Sequence, residues 1–202
     1  MTATPRCVGV ILAGGGARRL GGQPKGLLLV EGARIIDRVA TALREASDDL
    51  LLVANDPGAS EWLPGVRTAT DVRLGEGALG GLHAALSHAG GAGALVVAWD
   101  MPFVEPGLLR ALRALGEAGA DAAVPESETS GRGVEPLCAW YGPACLAAIE
   151  RRLDAGDRRV VAFFEDVRVS RLSAADVAQW GDPARLFWNV NTPHDLSNAP
   201  LA

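Results

Sequence analysis

The stretch that decides the fold runs from Val8 to Lys25 and reads VGVILAGGGARRLGGQPK. Its first five residues are apolar or glycine, and they predict a buried strand. The rest is rich in glycine and carries two arginines and a lysine, with no carboxylate before Glu31. The combination predicts a strand that leads into an anion-binding loop.

Lys25 is the only lysine of the chain; the other 18 of its 19 basic residues are arginines. Glycines let backbone N–H groups converge and let a ligand approach where a Cβ would block it. Lys25 adds a compact charge, whereas Arg18 and Arg19 offer planar forks that grip two oxygens. The loop is therefore predicted to bind phosphate. The weaker alternative is a surface turn whose arginines are solvated.

Two common phosphate loops do not match this stretch. A Walker loop needs Gly-Lys-Ser/Thr, but Gly21 is followed by Gly22 and no hydroxyl follows Lys25. The dinucleotide fingerprint needs a glycine three residues after Gly16, where this chain has Arg19. The loop therefore matches neither of these two phosphate-binding motifs.

The loop resembles the signature of the nucleotidyltransferases that attach a nucleotide to molybdopterin, and specifically the MobA-like molybdenum cofactor guanylyltransferases. The similarity continues along the chain in the family's order. The matching stretches are Leu12-Ala13-Gly14-Gly15, Ala17-Arg18-Arg19-Leu20-Gly21, Lys25-Gly26, Asp71, Gly77-Ala78-Leu79-Gly80-Gly81, Asp100-Met101-Pro102, Glu135-Pro136-Leu137, Asp157-Arg158-Arg159-Val160 and Asn189-Val190-Asn191-Thr192-Pro193. Together they span nearly the whole chain, which makes the combination far more specific than any single piece.

Short apolar strands alternate with helical stretches, the pattern of a doubly wound α/β sheet. We expect a Rossmann-like three-layer sandwich with a mostly parallel central sheet. The segment 136–141 is expected to be its one antiparallel strand, because no long crossover separates it from the strand before it. In such sheets ligands bind outside the carboxyl ends of the strands. The glycine loop, Asn55, Asp71 and Asp100 all follow predicted strands and should converge on one crevice.

Asp100 predicts a metal site in that crevice. A carboxylate beside a cationic phosphate loop would repel the phosphates unless a cation lay between them. Mg²⁺ is bound in this way, by one or two carboxylates together with waters and phosphate oxygens. The resemblance implies the same role for Asp100.

Composition sets limits that agree with this interpretation. The 202 residues, 49% of them hydrophobic, suit one ordinary domain. A net charge of −5 with no basic tract beyond the loop argues against nucleic acid as a partner. Three cysteines without zinc spacing suit buried thiols in a reducing cytosol. With no membrane-spanning or signal-like segment, we expect a cytoplasmic protein without membrane contact.

The resemblance implies one nucleotidyltransferase domain over residues 1–202, with a nucleotide-binding half at 1–100 and a molybdopterin-binding half at 101–202. It implies transfer of GMP from GTP to the terminal phosphate of molybdopterin, with Mg²⁺ as cofactor and pyrophosphate as the second product. Molybdenum insertion proteins or acceptor molybdoenzymes are expected as transient partners.

The predicted site residues follow from the motifs and the resemblance together. The predicted catalytic residues are Arg19, Lys25 and Asp100, with Asp100 as the metal ligand. The predicted nucleotide-binding residues are Leu12, Ala13, Gly14, Gly15, Lys25, Asn55, Asp71, Gly80 and Asp100. The predicted molybdopterin-binding residues are Asn189, Asn191 and Arg158.

Two alternatives stay open. One is another nucleotidyltransferase that uses the same loop, a molybdopterin cytidylyltransferase or a sugar-phosphate enzyme. Gly15 favours the guanylyl assignment, because similar cytidylyltransferases tend to carry alanine there. The other is a non-catalytic nucleotide-binding module, which would tolerate loss of Lys25 or Asp100, yet both are present.

Overall fold

The structure, a computed structural model, describes residues 6–14, 24–128 and 130–197, and this part of the chain forms ten strands and seven α-helices. The strands are β1 (Cys7–Leu12), β2 (Leu29–Val30), β3 (Ala33–Arg34), β4 (Asp49–Val53), β5 (Arg67–Ala69), β6 (Gly93–Ala98), β7 (Ala122–Ser127), β8 (Gly133–Val134), β9 (Cys138–Tyr141) and β10 (Val169–Leu172). The helices are α1 (Ile35–Arg44), α2 (Gly77–Ala89), α3 (Pro106–Glu117), α4 (Ala144–Asp154), α5 (Ala174–Val177), α6 (Pro183–Leu186) and α7 (Pro193–Ser197).

Eight of the described strands form one sheet in the order β10-β7-β9-β6-β1-β4-β5, with β8 paired to β7 outside this path. β1 is parallel to β4 and β6, β4 to β5, and β7 to β10. β9 runs antiparallel to both β6 and β7. The mostly parallel sheet with an antiparallel strand near residues 136–141 is therefore confirmed. β8, a second antiparallel strand, and the separate β2–β3 hairpin were not predicted.

Helices cover both faces of this sheet, which confirms the three-layer arrangement. One apolar cluster packs α1 and α3 against the sheet, and a second packs α2 and α4 against the opposite face. Helix α1 shows why: its apolar residues recur at helical spacing, and Ile35, Ile36, Val39 and Leu43 are all fully buried. No helix within the described ranges has the length and apolar character needed to cross a membrane.

The order of the strands places a switch point between β1 and β6. From β1 the chain proceeds through β4 to β5 on one side, and it then returns to place β6 on the other side of β1. The chain therefore leaves β1 towards β4 and leaves β6 towards the opposite edge of the sheet, and in open α/β sheets ligands bind in a crevice at such a switch point. Gly14 follows β1 and Asp100 follows β6, so both predicted site residues lie at this crevice.

Candidate active site

A cavity of about 220 Å³ lies at the switch point. Its lining comes from the carboxyl ends of β1, β4, β5 and β6, from the start of α2 and from the residue before β9. The lining residues are Leu12, Gly14, Val53, Asp71, Gly77, Ala78, Gly81, Ala98, Trp99, Asp100 and Leu137. Ligand pockets usually measure 300 Å³ or more, so this cavity suits one part of a nucleotide and leaves the remainder in the open crevice.

The position of Lys25 near this cavity depends on the packing of the next residue, Gly26, against Trp99. Lys25 begins a short 3₁₀ turn, Lys25–Leu27, and Gly26 packs against the indole of Trp99. A Cβ on Gly26 would lie 2.4 Å from the Trp99 ring, so only glycine allows this approach. Trp99 is itself stacked on Trp62, with ring centroids 5.2 Å apart. The glycine after Lys25 thus fixes the lysine next to the residue that precedes Asp100.

Two residues near the other end of the described chain, Val190 and Asn191, contact Asp100 and Lys25. The Lys25 Nζ donates to the Asn191 side-chain Oδ1 at 2.6 Å. The backbone N–H of Val190 donates to the carbonyl oxygen of Asp100 at 2.9 Å. Lys25, Asp100 and the 189–191 segment, far apart in sequence, are therefore neighbours at one crevice.

Asp100 is a partly buried carboxylate whose ionisation is opposed by its surroundings. Burial raises its pKa, while the nearby positive charge of Lys25 and a hydrogen bond from its own backbone act to lower it. A divalent cation at this carboxylate would offset the cost of its burial.

Asp71 is oriented by Asn55, the residue that follows β4 by two positions. The Asn55 Nδ2 donates to Asp71 Oδ2 at 2.7 Å, and the Asp71 backbone N–H donates to Asn55 Oδ1 at 2.9 Å. This reciprocal pair fixes the Asp71 carboxylate at the cavity wall. Only Asp71 of the two lines the cavity, and Asn55 supports it.

Glu135 is a buried carboxylate beside Asp100 to which the sequence assigned no role. Val97 pairs with Cys138, and the Ala98 N–H donates to Leu137 O at 2.8 Å. Beyond this pair both segments enter turns, at 99–100 and at 136–137, and Asp100 and Glu135 come to the same edge of the sheet. Burial raises the pKa of Glu135; the Leu137 N–H and Arg132 lower it, and the charge of Asp100 raises it. Glu135 belongs to the motif Glu135-Pro136-Leu137, but its position near Asp100 depends on the pairing of β9 with β6, which the sequence alone does not fix.

The other predicted nucleotide-binding residues differ in whether they line the cavity. Leu12 and Gly14 line the cavity, and Ala13 is buried behind them, with its N–H bonded to Val53 O at 2.9 Å. Gly80 lies inside α2, where a Cβ would approach Glu76 Cβ to 2.7 Å, and its neighbours Gly77, Ala78 and Gly81 form the wall instead. Gly15, Arg18 and Arg19 lie outside the described residues, so their roles stay predictions.

Of the predicted molybdopterin-binding residues, only Asn191 contacts Lys25. The Asn189 Nδ2 donates to the carbonyl oxygen of Phe187 at 3.0 Å. Arg158 forms a hydrogen bond with Glu76, which precedes α2, and its side chain is 61% exposed. Arg158 therefore lies near the α2 wall of the cavity rather than in the contact between Lys25 and Asn191.

The cysteines do not supply a nucleophile. Cys7, Cys138 and Cys145 are free and buried, as predicted. Burial raises the pKa of Cys7 to about 11 and that of Cys145 to about 12, and it raises the pKa of Cys138 further. Thiols with such pKa values stay protonated near neutral pH and are unreactive.

A larger cavity, of about 550 Å³, lies on the α1 and α3 side of the sheet. It is lined by α1, by residues 102–106 and by the segment 180–186, and it includes neither Lys25 nor Asp100. Arg185 stacks on Phe103 there at 3.7 Å from the ring centroid and bonds Glu31. The smaller cavity is the candidate active site, because Asp71 and Asp100 line it and Lys25 lies near Asp100.

Comparison with known proteins identifies the class of protein to which the chain belongs. The model of the MobA-like NTP transferase domain matches residues 9–172. The molybdopterin-guanine dinucleotide biosynthesis protein A of Archaeoglobus fulgidus has the same fold, with a TM-score of 0.77 and 30% identity over 95% of this chain and 96% of that one. The chain belongs to the MobA-like nucleotidyltransferase family.

Two relatives narrow the comparison within this family. The molybdenum cofactor guanylyltransferase of Desulfosudis oleivorans is 36% identical over 195 residues, which cover 96% of this chain and 94% of the relative. A protein of Pelotomaculum thermopropionicum named "Probable molybdenum cofactor guanylyltransferase" is 41% identical over 194 residues, 96% of this chain and 92% of the relative. The similarity thus extends over nearly the full length of each protein.

Proposed function

We propose that this protein is a molybdenum cofactor guanylyltransferase, which transfers GMP from GTP to the terminal phosphate of molybdopterin and releases pyrophosphate. The observation that carries the proposal is the meeting of Lys25, Asp100 and Asn191 at the switch-point crevice. Full-length relatives with this name support the same activity.

The chemistry needs charge neutralisation and alignment more than proton transfer. A phosphate monoester is already ionised near neutral pH, so it can attack the α-phosphate of GTP without a general base. The new P–O bond forms as the bond to pyrophosphate breaks, and negative charge accumulates on the leaving group. Lys25 can bind the phosphate oxygens at the crevice, and Arg19 is the predicted second cation.

Asp100 is the proposed ligand of a magnesium ion. Asp100 fits this role because it is a partly buried carboxylate at the phosphate side of the cavity, with Lys25 as the nearby cation. The described residues include no group of three or more His, Cys, Asp or Glu side chains that could hold a metal without substrate. That agrees with Mg²⁺ held by one carboxylate, waters and phosphate oxygens. When bound, the ion would neutralise charge on the phosphates during transfer.

Guanine recognition is proposed for Asp71. A carboxylate accepts hydrogen bonds from both the N1–H and the N2–H of guanine, and Asn55 holds the Asp71 carboxylate in place for them. Gly77, Ala78 and Gly81 leave room for a purine between α2 and the end of β1. Cytosine has no such pair of donors, so this wall favours the guanylyl assignment over the cytidylyl alternative.

In this proposal each half of the chain supplies the contacts to one substrate. The nucleotide contacts lie within residues 1–100, and the molybdopterin contacts Asn189, Asn191 and Arg158 lie within 101–202. Arg158 can reach the molybdopterin phosphate if it leaves Glu76, since most of its side chain is exposed. We also propose a cytoplasmic location, which suits three free thiols, with transient contacts to molybdenum insertion proteins or acceptor molybdoenzymes.

The proposal is tested by supplying the purified protein with molybdopterin and each labelled nucleoside triphosphate, with and without Mg²⁺. We expect transfer from GTP only, and only with the metal. Preferential use of CTP would support the cytidylyl alternative. Nucleotide binding without turnover would identify a non-catalytic module.

Two variants test the roles at the crevice. Lys25→Ala and Asp100→Ala should each lower the rate of transfer by about a hundredfold or more while the protein stays folded, since each removes charge stabilisation at the phosphates. Asp56→Asn, in the turn that follows Asn55, is a control that leaves the phosphate groups untouched. Near-normal transfer by either alanine variant would contradict the assigned roles.

A further inference from the structure

The contact between Lys25 and Asn191 joins the nucleotide loop to a segment 166 residues further along the chain. The Lys25 Nζ lies 2.6 Å from Asn191 Oδ1, and the side chain of Lys25 is otherwise flexible, with four rotatable bonds. We propose that Asn191 is a positioning residue for Lys25 and thereby acts on GTP binding before any molybdopterin is present. The inference rests on the proposed function, and it assigns Asn191 a second role besides contact with the pterin.

The geometry of the donors permits both contacts at once. An ammonium group has three N–H donors, so a bond to Asn191 leaves two for phosphate oxygens. An amide oxygen fixes the direction of the ammonium without neutralising its charge, whereas a carboxylate at position 191 would compete with the phosphates. Asn191 can therefore hold Lys25 while the charge remains available to GTP.

Asn191 is itself held rigidly. Its backbone N–H and that of Thr192 donate to the Asp195 Oδ2, at 2.8 and 2.7 Å. Before it, Val190 is fully buried and bonds to the carbonyl oxygen of Asp100. The backbone that carries this acceptor is thus anchored on both sides, and one of the anchors is Asp100 itself.

Asn189 provides a matched comparison within the same segment. Its side-chain amide donates a hydrogen bond to the carbonyl oxygen of Phe187, two residues earlier, rather than contacting Lys25. Removing either amide deletes the same chemical group from neighbouring positions, but only Asn191→Ala releases the lysine.

The first test uses the fact that the chain has one lysine. Selective ¹³C labelling of lysine gives a single ε-methylene signal, which reports on Lys25 without any assignment. In the ligand-free protein, Asn191→Ala should shift and sharpen this signal, while Asn189→Ala leaves it in place. An unchanged signal in Asn191→Ala would overturn the proposal, and this readout does not depend on catalysis.

The second test is a double-mutant cycle on GTP affinity, measured by calorimetry with Mg²⁺ and without molybdopterin. Asn191→Ala should weaken GTP binding by about fourfold, the scale of one partly exposed hydrogen bond, and Asn189→Ala should not. In the Lys25→Ala background, Asn191→Ala should have no further effect. Equal weakening in both backgrounds, or none in the wild type, would refute the positioning role. A wild-type protein that binds no GTP would instead refute the proposed function, and the NMR result would then stand alone.

Discussion

Two charged side chains at the crevice, Asp71 and Lys25, are each held by an asparagine that does not line the cavity. Asn55 fixes Asp71 through two hydrogen bonds, and Asn191 fixes Lys25 through one. The sequence singled out all four residues, because each follows a strand or belongs to a family motif. It could not show that they form two pairs, since pairing depends on how residues 16 and 166 positions apart in the chain are brought together.

Asp71 should decide the choice of base. Asp71→Asn replaces one carboxylate oxygen with a donor that opposes the N–H groups of guanine, so we expect the KM for GTP to rise about tenfold, from the loss of a hydrogen bond between charged and neutral groups. Steady-state kinetics with GTP and CTP measures this change. Asp56→Asn, the same substitution in the neighbouring turn, should leave both KM values unchanged. An Asp71→Asn enzyme with unaltered preference for GTP would exclude the contact with the base.

Whole strands and helices were easier to predict than their connections. The predicted alternation of apolar strands and helical stretches appears in the structure, with β1, β4 and β6 as the strands and α1 to α4 as the helices. These segments are long enough for burial to impose a clear pattern. The two-residue strands β2, β3 and β8 and the edge strand β10 carry too few apolar residues to show one. The cavity wall was predicted only in part, because Leu137 reaches it through the pairing of β9 with β6, which the sequence does not fix.

The short turn that carries Lys25 depends on the fit of Gly26 against Trp99. Gly26→Ala places a methyl group 2.4 Å from the ring, so the turn must shift. We expect a loss of stability of about 1–3 kcal/mol, as for other overpacked cores, together with a raised KM for GTP because Lys25 moves with the turn. Thermal unfolding and kinetics measure the two effects.

Gly116→Ala is the matched control for this element. A Cβ at Gly116 would also lie 2.4 Å from a tryptophan ring, that of Trp140, but in α3 and away from the cavity. It should lower stability without changing the KM for GTP. If both variants raised the KM equally, a general loosening of the fold would explain the result better than displacement of Lys25.

Across the whole molecule, the two ends of the parallel strands differ in how their carboxylates are paired. At the amino ends, Asp48, Asp49 and Asp121 form salt bridges with Arg113, Arg6 and Arg168. At the carboxyl ends, Asp100 and Glu135 have no arginine or lysine salt bridge within the described part of the chain, and burial raises the pKa of both. Carboxylates at the amino ends are thus paired with arginines, while those at the carboxyl ends remain buried without such a partner at the candidate active site.

This difference predicts opposite responses to pH. Because the folded pKa of Glu135 lies above the unfolded value of 4.5, its protonated form favours folding, and that stability is lost as the pH rises through the folded pKa. Glu135→Gln should therefore gain thermal stability relative to the wild type as the pH is raised from 4.5 to 7.5 in the absence of metal and nucleotide. The glutamine oxygen can still accept from the Leu137 N–H, so the fold is preserved.

Asp121 supplies the comparison with the opposite sign. Arg168 lowers the pKa of Asp121 below 3.8, so its contribution is complete above that value and is lost only as the pH falls through the lower folded pKa. Asp121→Asn should cost the same stability at pH 4.5 and at pH 7.5, apart from a small change near the lower limit. Melting curves of both variants and the wild type across this range separate the two behaviours. A constant difference for Glu135→Gln would mean that Glu135 is ionised without penalty in the folded protein, and the charge asymmetry between the two ends of the sheet would then rest on Asp100 alone.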